Sequence, residues 1–332
     1  MKHFSIKRDH LYLLPYIKGA SKENQSMLLQ ASPWSPPAWM KYSNTIDKNN
    51  VDKPKSRLKN DPKILKAYAL YLSKYIEAYK EENVIIDRFC VQNEPDTYAP
   101  FPGNNMTMDQ FQDLSLNYII PTFREKKLST GIYAGTFRTI NRGDHYKILN
   151  DKTIHQFDGI GFQYAKGEFI REVALLAPNM KIINTETNCF HGENSEEQAK
   201  SRLEEIANYI NAGSTNYCYW NLILNETSTS AWGWKQNSLL IIDRNTKNIQ
   251  YTPDYNALYI ASNTIKKGDQ RIAHIAKHNI VTTKNNKGDI KVLIQNEESE
   301  NKFFKLFIDE KEINVELPKN ALCNITLKEV EN

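Results

Sequence analysis

The stretch Phe89-Cys90-Val91-Gln92-Asn93-Glu94-Pro95-Asp96 places an amide and a carboxylate at the end of a predicted buried strand. The apolar run Val84-Ile85-Ile86 leads into it, and Pro95 ends it because proline cannot donate to a sheet ladder. Glu94 therefore lies at the carboxyl end of an interior strand, where barrels of parallel strands carry their catalytic groups. A lone glutamate before a proline is more often a solvated loop residue, so the functional interpretation depends on finding a second carboxylate.

The composition is that of an ordinary globular protein. The chain has 332 residues, and this length accommodates one large domain of about 250 residues and a small one. Hydrophobic residues make up 40% and charged residues 25%. The net charge is only +4 and the basic residues are dispersed, so we expect no nucleic-acid partner. The mean hydropathy of -0.61 argues against a transmembrane segment, and no pattern implies a partner protein.

The cysteines and histidines show no pattern of ligation. The four cysteines lack a Cys-x-x-Cys pair and are predicted to be buried free thiols: Cys90, Cys189, Cys218 and Cys323. The seven histidines have no ligand spacing, so we expect no metal ion and no cofactor. The N-terminus, Met1-Lys2-His3-Phe4, lacks an apolar region, and no signal peptide is predicted.

Apolar strand-like segments alternate with helical segments through the first two thirds of the chain. Six strands are predicted, at residues 26–31, 84–94, 130–136, 159–164, 180–185 and 217–222. Strands that alternate with helices pair in parallel. The sequence therefore predicts a parallel α/β sheet, the kind that closes into a barrel.

Capping signals mark several helix starts, and a different pattern occupies the C-terminal part. The signals are Asp61-Pro62, Thr107 with Gln110, and Ser195 with Gln198, and a further short helix is predicted at residues 8–22. From about residue 264, short runs separated by turn residues predict an antiparallel β-sandwich. We predict a catalytic barrel at residues 1–245 and a β-sandwich domain at residues 246–332.

Glu186 provides the second carboxylate, at the end of the predicted strand 180–185. Two strands separate it from the strand of Glu94, so in a closed barrel the two side chains would face each other across the mouth. Glycoside cleavage needs this pair, because one carboxyl protonates the leaving oxygen while the other attacks or stabilises the sugar cation. Asn93 is suitably placed for the sugar hydroxyl at C2.

An aromatic loop follows the first predicted strand. Its sequence is Ser32-Pro33-Trp34-Ser35-Pro36-Pro37-Ala38-Trp39, and three prolines fix its backbone. Trp34 either packs in the core or shapes the rim of the site, and the sequence leaves both possibilities open. The same alternative of core packing applies to the later tryptophans.

Together these motifs resemble glycoside hydrolase family 30, a group of (β/α)₈ enzymes that includes the glucosylceramidases. The matching pieces are Ala31-Ser32-Pro33-Trp34-Ser35-Pro36-Pro37-Ala38-Trp39-Met40-Lys41, Val91-Gln92-Asn93-Glu94-Pro95, Thr185-Glu186, Tyr219-Trp220-Asn221-Leu222-Ile223-Leu224-Asn225 and Gln270-Arg271-Ile272-Ala273. The resemblance implies a TIM barrel with a C-terminal β-sandwich. It also implies an exported, periplasmic or extracellular protein.

The resemblance further implies a retaining β-glycosidase of the glucosylceramidase type, acting on a carbohydrate or glycolipid. Glu94 would be the acid/base and Glu186 the nucleophile, with carboxyl groups about 5–5.5 Å apart. The residues implied in substrate binding are Asn93, Trp34, Gln163, Tyr164, Trp220, Asn221 and Trp232.

Two departures from the family pattern affect this expectation. The family has two barrel strands ahead of the strand that leads to Trp34, so about six strands are expected here, with exposed sheet edges. Either a fuller protein begins upstream, or this product is unstable or inactive. In addition, the family has His-Trp-Tyr on the strand before the nucleophile, whereas this chain has Gln163-Tyr164-Ala165 there.

Two alternatives to the glycosidase hypothesis therefore stay open. One is a catalytically impaired carbohydrate-binding remnant of the same fold, which the missing strands suggest. The other is an endo-acting hydrolase of xylan, β-1,6-glucan or galactan, which would use the same pair of carboxyls with different subsites.

Overall fold

The chain divides into two compact units. The structure is a computed structural model that describes residues 3–47, 56–96, 101–138, 142–276, 278–308 and 310–328. The first unit comprises Met1–Ala165 with Glu172–Thr185, and the second comprises Lys166–Arg171 with Glu186–Asn332. The domain boundary predicted between residues 245 and 246 stays a prediction.

The helices begin largely where the capping signals predict. In chain order they are α1 Lys7–Leu11, α2 Leu13–Glu23, α3 Pro62–Glu81, α4 Met108–Leu114, α5 Ile120–Glu125, α6 Arg142–Leu149, α7 Asp151–Ile154, α8 Gly167–Leu176, α9 Glu196–Lys200, α10 Arg202–Ile210 and α11 Pro253–Thr264. Asp61 caps α3, Thr107 forms the capping box of α4, and Ser195 caps α9, as predicted. The predicted helix at 8–22 is two helices, separated at Tyr12.

A parallel sheet of five strands forms the half-barrel of the first unit. Its strands are β1 Gln30–Ala31, β2 Arg88–Cys90, β3 Gly131–Phe137, β4 Gly159–Gln163 and β5 Lys181–Glu186, adjacent in that order. The parallel pairing predicted from the alternation is confirmed for β1 to β4. The apolar run 84–86 immediately precedes β2 and is not itself a strand.

The sixth predicted strand, at residues 217–222, is not a strand in the described chain. Its polar backbone groups bind elsewhere: the Thr187 hydroxyl donates to the Cys218 carbonyl, and Leu239 N donates to Asn221 O at 3.1 Å. The adjacent strand β6, Ile223–Asn225, pairs with β7, Leu240–Ile242, instead. The prediction of a barrel strand at residues 217–222 is therefore wrong, although strand β6 begins at the next residue.

The second unit contains the predicted antiparallel β module. Its remaining strands are β8 Ile249–Tyr251, β9 Gln270–Arg271, β10 Ile280–Lys284, β11 Ile290–Asn296, β12 Lys302–Ile308, β13 Lys311–Leu317 and β14 Ala321–Leu327. They form an antiparallel sheet in the order β14-β11-β10-β9 and a hairpin of β12 with β13, while β8 pairs with β7. No helix within the described ranges is long and apolar enough to cross a membrane.

Successive side chains of a strand point to opposite faces of a sheet, and in the four-stranded sheet both faces carry apolar side chains. Ile280, Val292 and Ile294 pack in one cluster with Leu317 of β13. Their neighbours on the opposite face pack against α10 and α11 in a second cluster, which includes Val281 and Leu293 from the sheet. The predicted sandwich is therefore one half of this module, and helices cover the other face.

A tight approach between β3 and β4 requires a glycine. A Cβ added at Gly159 would overlap the Tyr133 ring, whereas one added at Gly19, in α2, would meet no atom within 4 Å. We expect Gly159→Ala to lower the free energy of unfolding by about 1–3 kcal/mol through overpacking. Gly19→Ala, the matched control, should raise it by about 0.5–1 kcal/mol. Urea unfolding measures both, and equal effects would contradict the packing argument.

Candidate active site

Glu94 is held at the end of β2 by backbone pairing to β3. Glu94 N donates to Thr136 O at 2.9 Å and Asn93 N donates to Pro33 O at 2.9 Å, so the segment is fixed by β3 on one side and by the loop after β1 on the other. The Glu94 side chain is buried, and its φ of 44° lies in the left-handed region. Such a backbone costs energy in a residue other than glycine and is often found where a side chain must be aimed.

The Asn93 amide is oriented by two buried side chains. Its Oδ1 accepts a hydrogen bond from the Thr136 hydroxyl at 3.1 Å and another from Gln163 Nε2 at 2.9 Å. The Asn93 amide nitrogen can only donate, so these two hydrogen bonds fix which end of the amide accepts and which end donates. Gln163 is buried and is therefore placed to orient Asn93.

Trp34 is fixed to the same strand end. Gln92 Nε2 donates to Trp34 O at 2.8 Å, and Asn104 Nδ2 donates to Gln92 Oε1 at 3.3 Å. The half-buried Trp34 ring packs on Phe101, with ring centroids 5.0 Å apart. The sequence left open whether Trp34 packs in the core or shapes the rim of the site. Its ring does part of each, because it contacts the buried Phe101 and also keeps some exposed surface.

Arg138, which the sequence analysis did not single out, contacts Glu94. Its Nη1 lies 3.5 Å from Glu94 Oε1, and its guanidinium lies over the Tyr164 ring at 4.8 Å from the centroid. Arg138 N donates to Asp96 Oδ1 at 3.2 Å, and Asp96 Oδ2 is 3.2 Å from His145 Nε2. A sequence signal existed, because Arg138 directly follows β3 and Glu94 also lies beyond the carboxyl end of its strand, β2.

Lys41 is a buried cation that joins the loops near this strand end. Its Nζ donates to the carbonyls of Ile46 at 3.0 Å, Asp47 at 2.9 Å and Gly103 at 2.6 Å, and also contacts Ser35 Oγ at 3.4 Å. Burial lowers the pKa of Lys41 to about 8, and the charge of Asp47 partly opposes this effect. Its ammonium therefore connects Ser35, in the Trp34 loop, with the backbone at residues 46–47 and 103.

The lowered pKa of Lys41 predicts a pH dependence of stability. Between pH 8 and 10.5 the unfolded lysine binds a proton that the folded lysine has lost, so raising the pH through this window favours the folded state. We expect the stability of the wild type relative to Lys41→Met to increase over that window. Unfolding by urea at each pH measures it. Lys22→Met, on the exposed face of α2, should show a constant difference, and a constant difference for Lys41→Met would contradict the prediction.

Glu186 ends β5 and begins the second unit. It is half-buried, and the next residue, Thr187, is buried with its hydroxyl bound to Cys218 O. Burial and the charge of Glu186 raise the pKa of the Cys189 and Cys218 thiols to about 11. Both thiols are therefore neutral near pH 7. All four cysteines are free as predicted, although only Cys90 is fully buried.

A buried arginine anchors the segment that follows Glu186. Arg202 has no exposed surface, and its Nη1 donates to Asn188 O at 3.1 Å while its guanidinium lies 4.4 Å from the Phe190 ring centroid. Arg202 Nε pairs with Asp254 Oδ1 at 3.1 Å, and the Tyr219 hydroxyl donates to Asp254 Oδ2 at 2.6 Å. One ion pair thus connects the loop after β5 with the segment that carries Trp220.

The other predicted binding residues of the second unit have different environments. Trp220 is half-buried, whereas Trp232 lies in an exposed loop with 46% of its surface accessible. The Asn221 amide donates to Gln236 Oε1 at 3.1 Å and to Asn237 O at 3.3 Å, so it is engaged within this unit. Exposure makes Trp232 available as a platform, while the contacts of Asn221 indicate a structural role.

The predicted site residues are thus distributed over both units. Trp34, Asn93, Glu94, Gln163 and Tyr164 belong to the first, where Asn93 binds Gln163 and Arg138 connects Glu94 with Tyr164. The remaining predicted residues, beginning with Glu186, belong to the second. The facing of the two carboxyls across a barrel mouth stays a prediction.

Parallel strands with an amide and a carboxylate at one carboxyl end, followed by an antiparallel β module, have the architecture of barrel glycosidases. The model of the glycosyl hydrolase family 30 TIM-barrel domain matches residues 1–125, a range that contains Trp34, Asn93 and Glu94. Over this range the chain is similar to the family 30 domain, as the sequence motifs predicted, and its fold is TIM-barrel-like.

Individual relatives extend this similarity. Putative glucosylceramidase 3 of Caenorhabditis elegans is 26% identical over 297 residues, 82% of this chain and 55% of that protein. Endo-1,6-beta-D-glucanase BGN16.3 of Trichoderma harzianum is 34% identical over 126 residues, 37% of this chain and 25% of that protein. The crystal structure of SrfJ from Salmonella typhimurium has a TM-score of 0.87 at 18% identity, over 98% of this chain and 74% of that one, and demonstrates a shared fold.

The matches differ in extent. The chain covers 55% of the nematode relative and 25% of the fungal one, so it spans about half the length of the first and less of the second. The family match covers the strand end of Glu94 and does not include Glu186.

Proposed function

We propose that the chain is a retaining β-glycosidase in which Glu94 is the acid/base and Glu186 the nucleophile. The observation that carries this proposal is the strand end of β2. There Glu94 and an Asn93 amide oriented by Thr136 and Gln163 lie within the segment matched by the family 30 domain. A buried carboxyl can supply one of the two carboxyl groups that glycoside cleavage requires, and an adjacent amide donor helps to orient the sugar.

The reaction would proceed in two displacements. Glu94 gives its proton to the glycosidic oxygen as the bond from that oxygen to the anomeric carbon breaks, and Glu186 forms an ester with the same carbon. Glu94, now ionised, takes a proton from water, which attacks the anomeric carbon and releases Glu186. The Asn93 amide nitrogen donates to the oxygen of the C2 hydroxyl and so orients that hydroxyl, whose own O–H becomes a stronger donor as positive charge develops on the sugar.

The remaining predicted residues have supporting roles in this proposal. Trp34, Trp220 and Trp232 would provide apolar walls against sugar faces. Gln163 acts through Asn93, and Tyr164 acts with its stacked arginine neighbour. The Asn221 amide donates to Gln236 and Asn237, so Asn221 would stabilise the backbone around Trp220.

Substitution of the two carboxyls tests the proposal. Glu186→Gln should abolish hydrolysis of aryl β-glycosides, because no ester can form. Glu94→Gln should lower turnover about 10²–10⁴-fold, the range for loss of a general acid/base, and azide should restore part of it by forming a β-glycosyl azide. Release of the aryl group measures activity, and NMR identifies the azide product.

Glu125→Gln, on the exposed face of α5, is the matched control and should keep full activity. Undiminished hydrolysis by either of the first two variants would refute the assignment, and an α-glycosyl azide would refute retention. Sugar binding by calorimetry without hydrolysis by the wild type would instead identify a carbohydrate-binding remnant.

Hydrolysis of β-1,6-glucan is a second candidate function. The observation that favours it is the 34% identity to the Trichoderma harzianum endo-1,6-beta-D-glucanase over 126 residues. Similarity to the nematode putative glucosylceramidase favours a glucosylated sphingolipid instead. Chromatography of products from both substrates distinguishes the two: oligosaccharides from the glucan indicate endo action, and release of glucose and ceramide indicates a glucosylceramidase.

Two further predictions accompany this proposal. The catalytic part would comprise residues 1–245, with residues 246–332 as a β-sandwich domain. The whole protein would be exported to the periplasm or the exterior, where polymeric or lipid-linked glycosides occur. Fractionation of the producing cells tests the second prediction directly.

A further inference from the structure

Arg138 and Tyr164 form a cationic and aromatic surface beside the proposed acid/base. The Arg138 guanidinium lies 4.8 Å from the Tyr164 ring centroid and 3.5 Å from Glu94 Oε1. The Arg138 side chain keeps 40% of its surface exposed, and Tyr164 keeps 37%. Glu94 itself is buried, so this pair provides accessible surface next to its carboxyl.

The position of the leaving group follows from the role of Glu94. A general acid must lie about 2.6–3.2 Å from the oxygen that it protonates. Arg138 Nη1 is 3.5 Å from Glu94 Oε1, so a leaving oxygen that Oε1 protonates lies within about 6.7 Å of this guanidinium nitrogen. Hydroxyls on the carbons adjacent to the leaving oxygen can then reach hydrogen-bond distance of the guanidinium.

We propose that Arg138 and Tyr164 bind the leaving group and select a sugar in preference to an alkyl chain. This inference rests on the proposed function, because it takes Glu94 as the acid. A guanidinium offers several donors in one plane, and sugar hydroxyls provide acceptors for them. An alkyl chain would remove water from the guanidinium without replacing its hydrogen bonds, which is unfavourable.

The surface is held in place by groups on neighbouring strand ends. Arg138 follows β3 and Tyr164 follows β4, while the backbone of Arg138 is fixed by Asp96, the residue two beyond Glu94. Asp96 is also paired with the buried His145 of α6. The arginine is therefore supported from the same segment that carries the acid, and a preorganised donor loses little entropy when a ligand binds.

Arg138→Leu tests the inference with three β-glucosides that differ only in the leaving group: a β-1,6-linked glucose disaccharide, octyl glucoside and dinitrophenyl glucoside. For the disaccharide we expect kcat/KM to fall about 10- to 100-fold, the effect of losing one hydrogen bond from a charged donor. The value for octyl glucoside should change less than threefold or increase. For the dinitrophenyl glucoside, which needs no protonation of its leaving group, kcat/KM should also change less than threefold, because kcat/KM covers the steps up to release of the leaving group and not the later attack by water.

Arg88→Leu is the matched control. Arg88 also lies over a tyrosine ring, at 5.9 Å from the Tyr133 centroid, but it begins β2 and so lies at the opposite end of that strand from Glu94. Its replacement should leave the ratio of disaccharide to octyl glucoside activity unchanged. Arg138→Lys, which keeps the charge and loses the planar fork, should give an intermediate ratio.

The outcomes separate the two proposals. An unchanged ratio in Arg138→Leu, or an equal loss on all three substrates, would overturn the selectivity while the activity on dinitrophenyl glucoside still supports the glycosidase. An equal decrease in the ratio of disaccharide to octyl glucoside activity in Arg88→Leu would also overturn the selectivity. Hydrolysis of none of the three glucosides by the wild type would refute β-glucoside cleavage and this inference with it.

Discussion

Two hydrogen bonds to Asn93 Oδ1 determine what the end of β2 presents to a ligand. Thr136 and Gln163, from β3 and β4, both donate to this oxygen, so the amide can offer only its nitrogen outward. The sheet order β2-β3-β4 is needed to bring these donors together, since they are 43 and 70 residues from Asn93 in sequence. The arrangement of the parallel sheet is thus the condition for the chemistry proposed at its edge.

Buried cations stabilise the loops of both units in the same manner. Lys41 satisfies its ammonium with backbone carbonyls, and Arg202 combines a carbonyl with the Asp254 carboxylate and aromatic faces. Removing either charge from water is costly, and the acceptors and the carboxylate named here offset part of that cost. A buried cation also restricts the conformation of the loops around it, because their carbonyl groups must point towards the charge. Loops that carry Trp34 and Trp220 are therefore ordered by charge as well as by apolar packing.

The sequence predicts best what is decided locally. Caps such as Asp61 and Thr107, the strands around Glu94 and Glu186, and the C-terminal β module all follow from patterns of a few residues. The segment 217–222 was predicted as a barrel strand because its alternation is apolar, but strand pairing depends on which backbone lies beside it. Arg138 was missed because its contact with Glu94 spans 44 residues and exists only once β2 and β3 are adjacent.

The contact of Arg138 with Glu94 links the geometry to both halves of the proposed reaction. When Glu94 is ionised, as it must be to activate water, a buried carboxylate needs a partner, and the guanidinium 3.5 Å away provides one. When Glu94 carries its proton, that attraction falls away and the guanidinium donors can turn to the hydroxyls of a leaving sugar. One side chain can then serve alternately as counter-ion and as binding group. The Arg138 side chain is 40% exposed beside the Tyr164 ring, and in the proposed reaction this exposure leaves room for the change of partner.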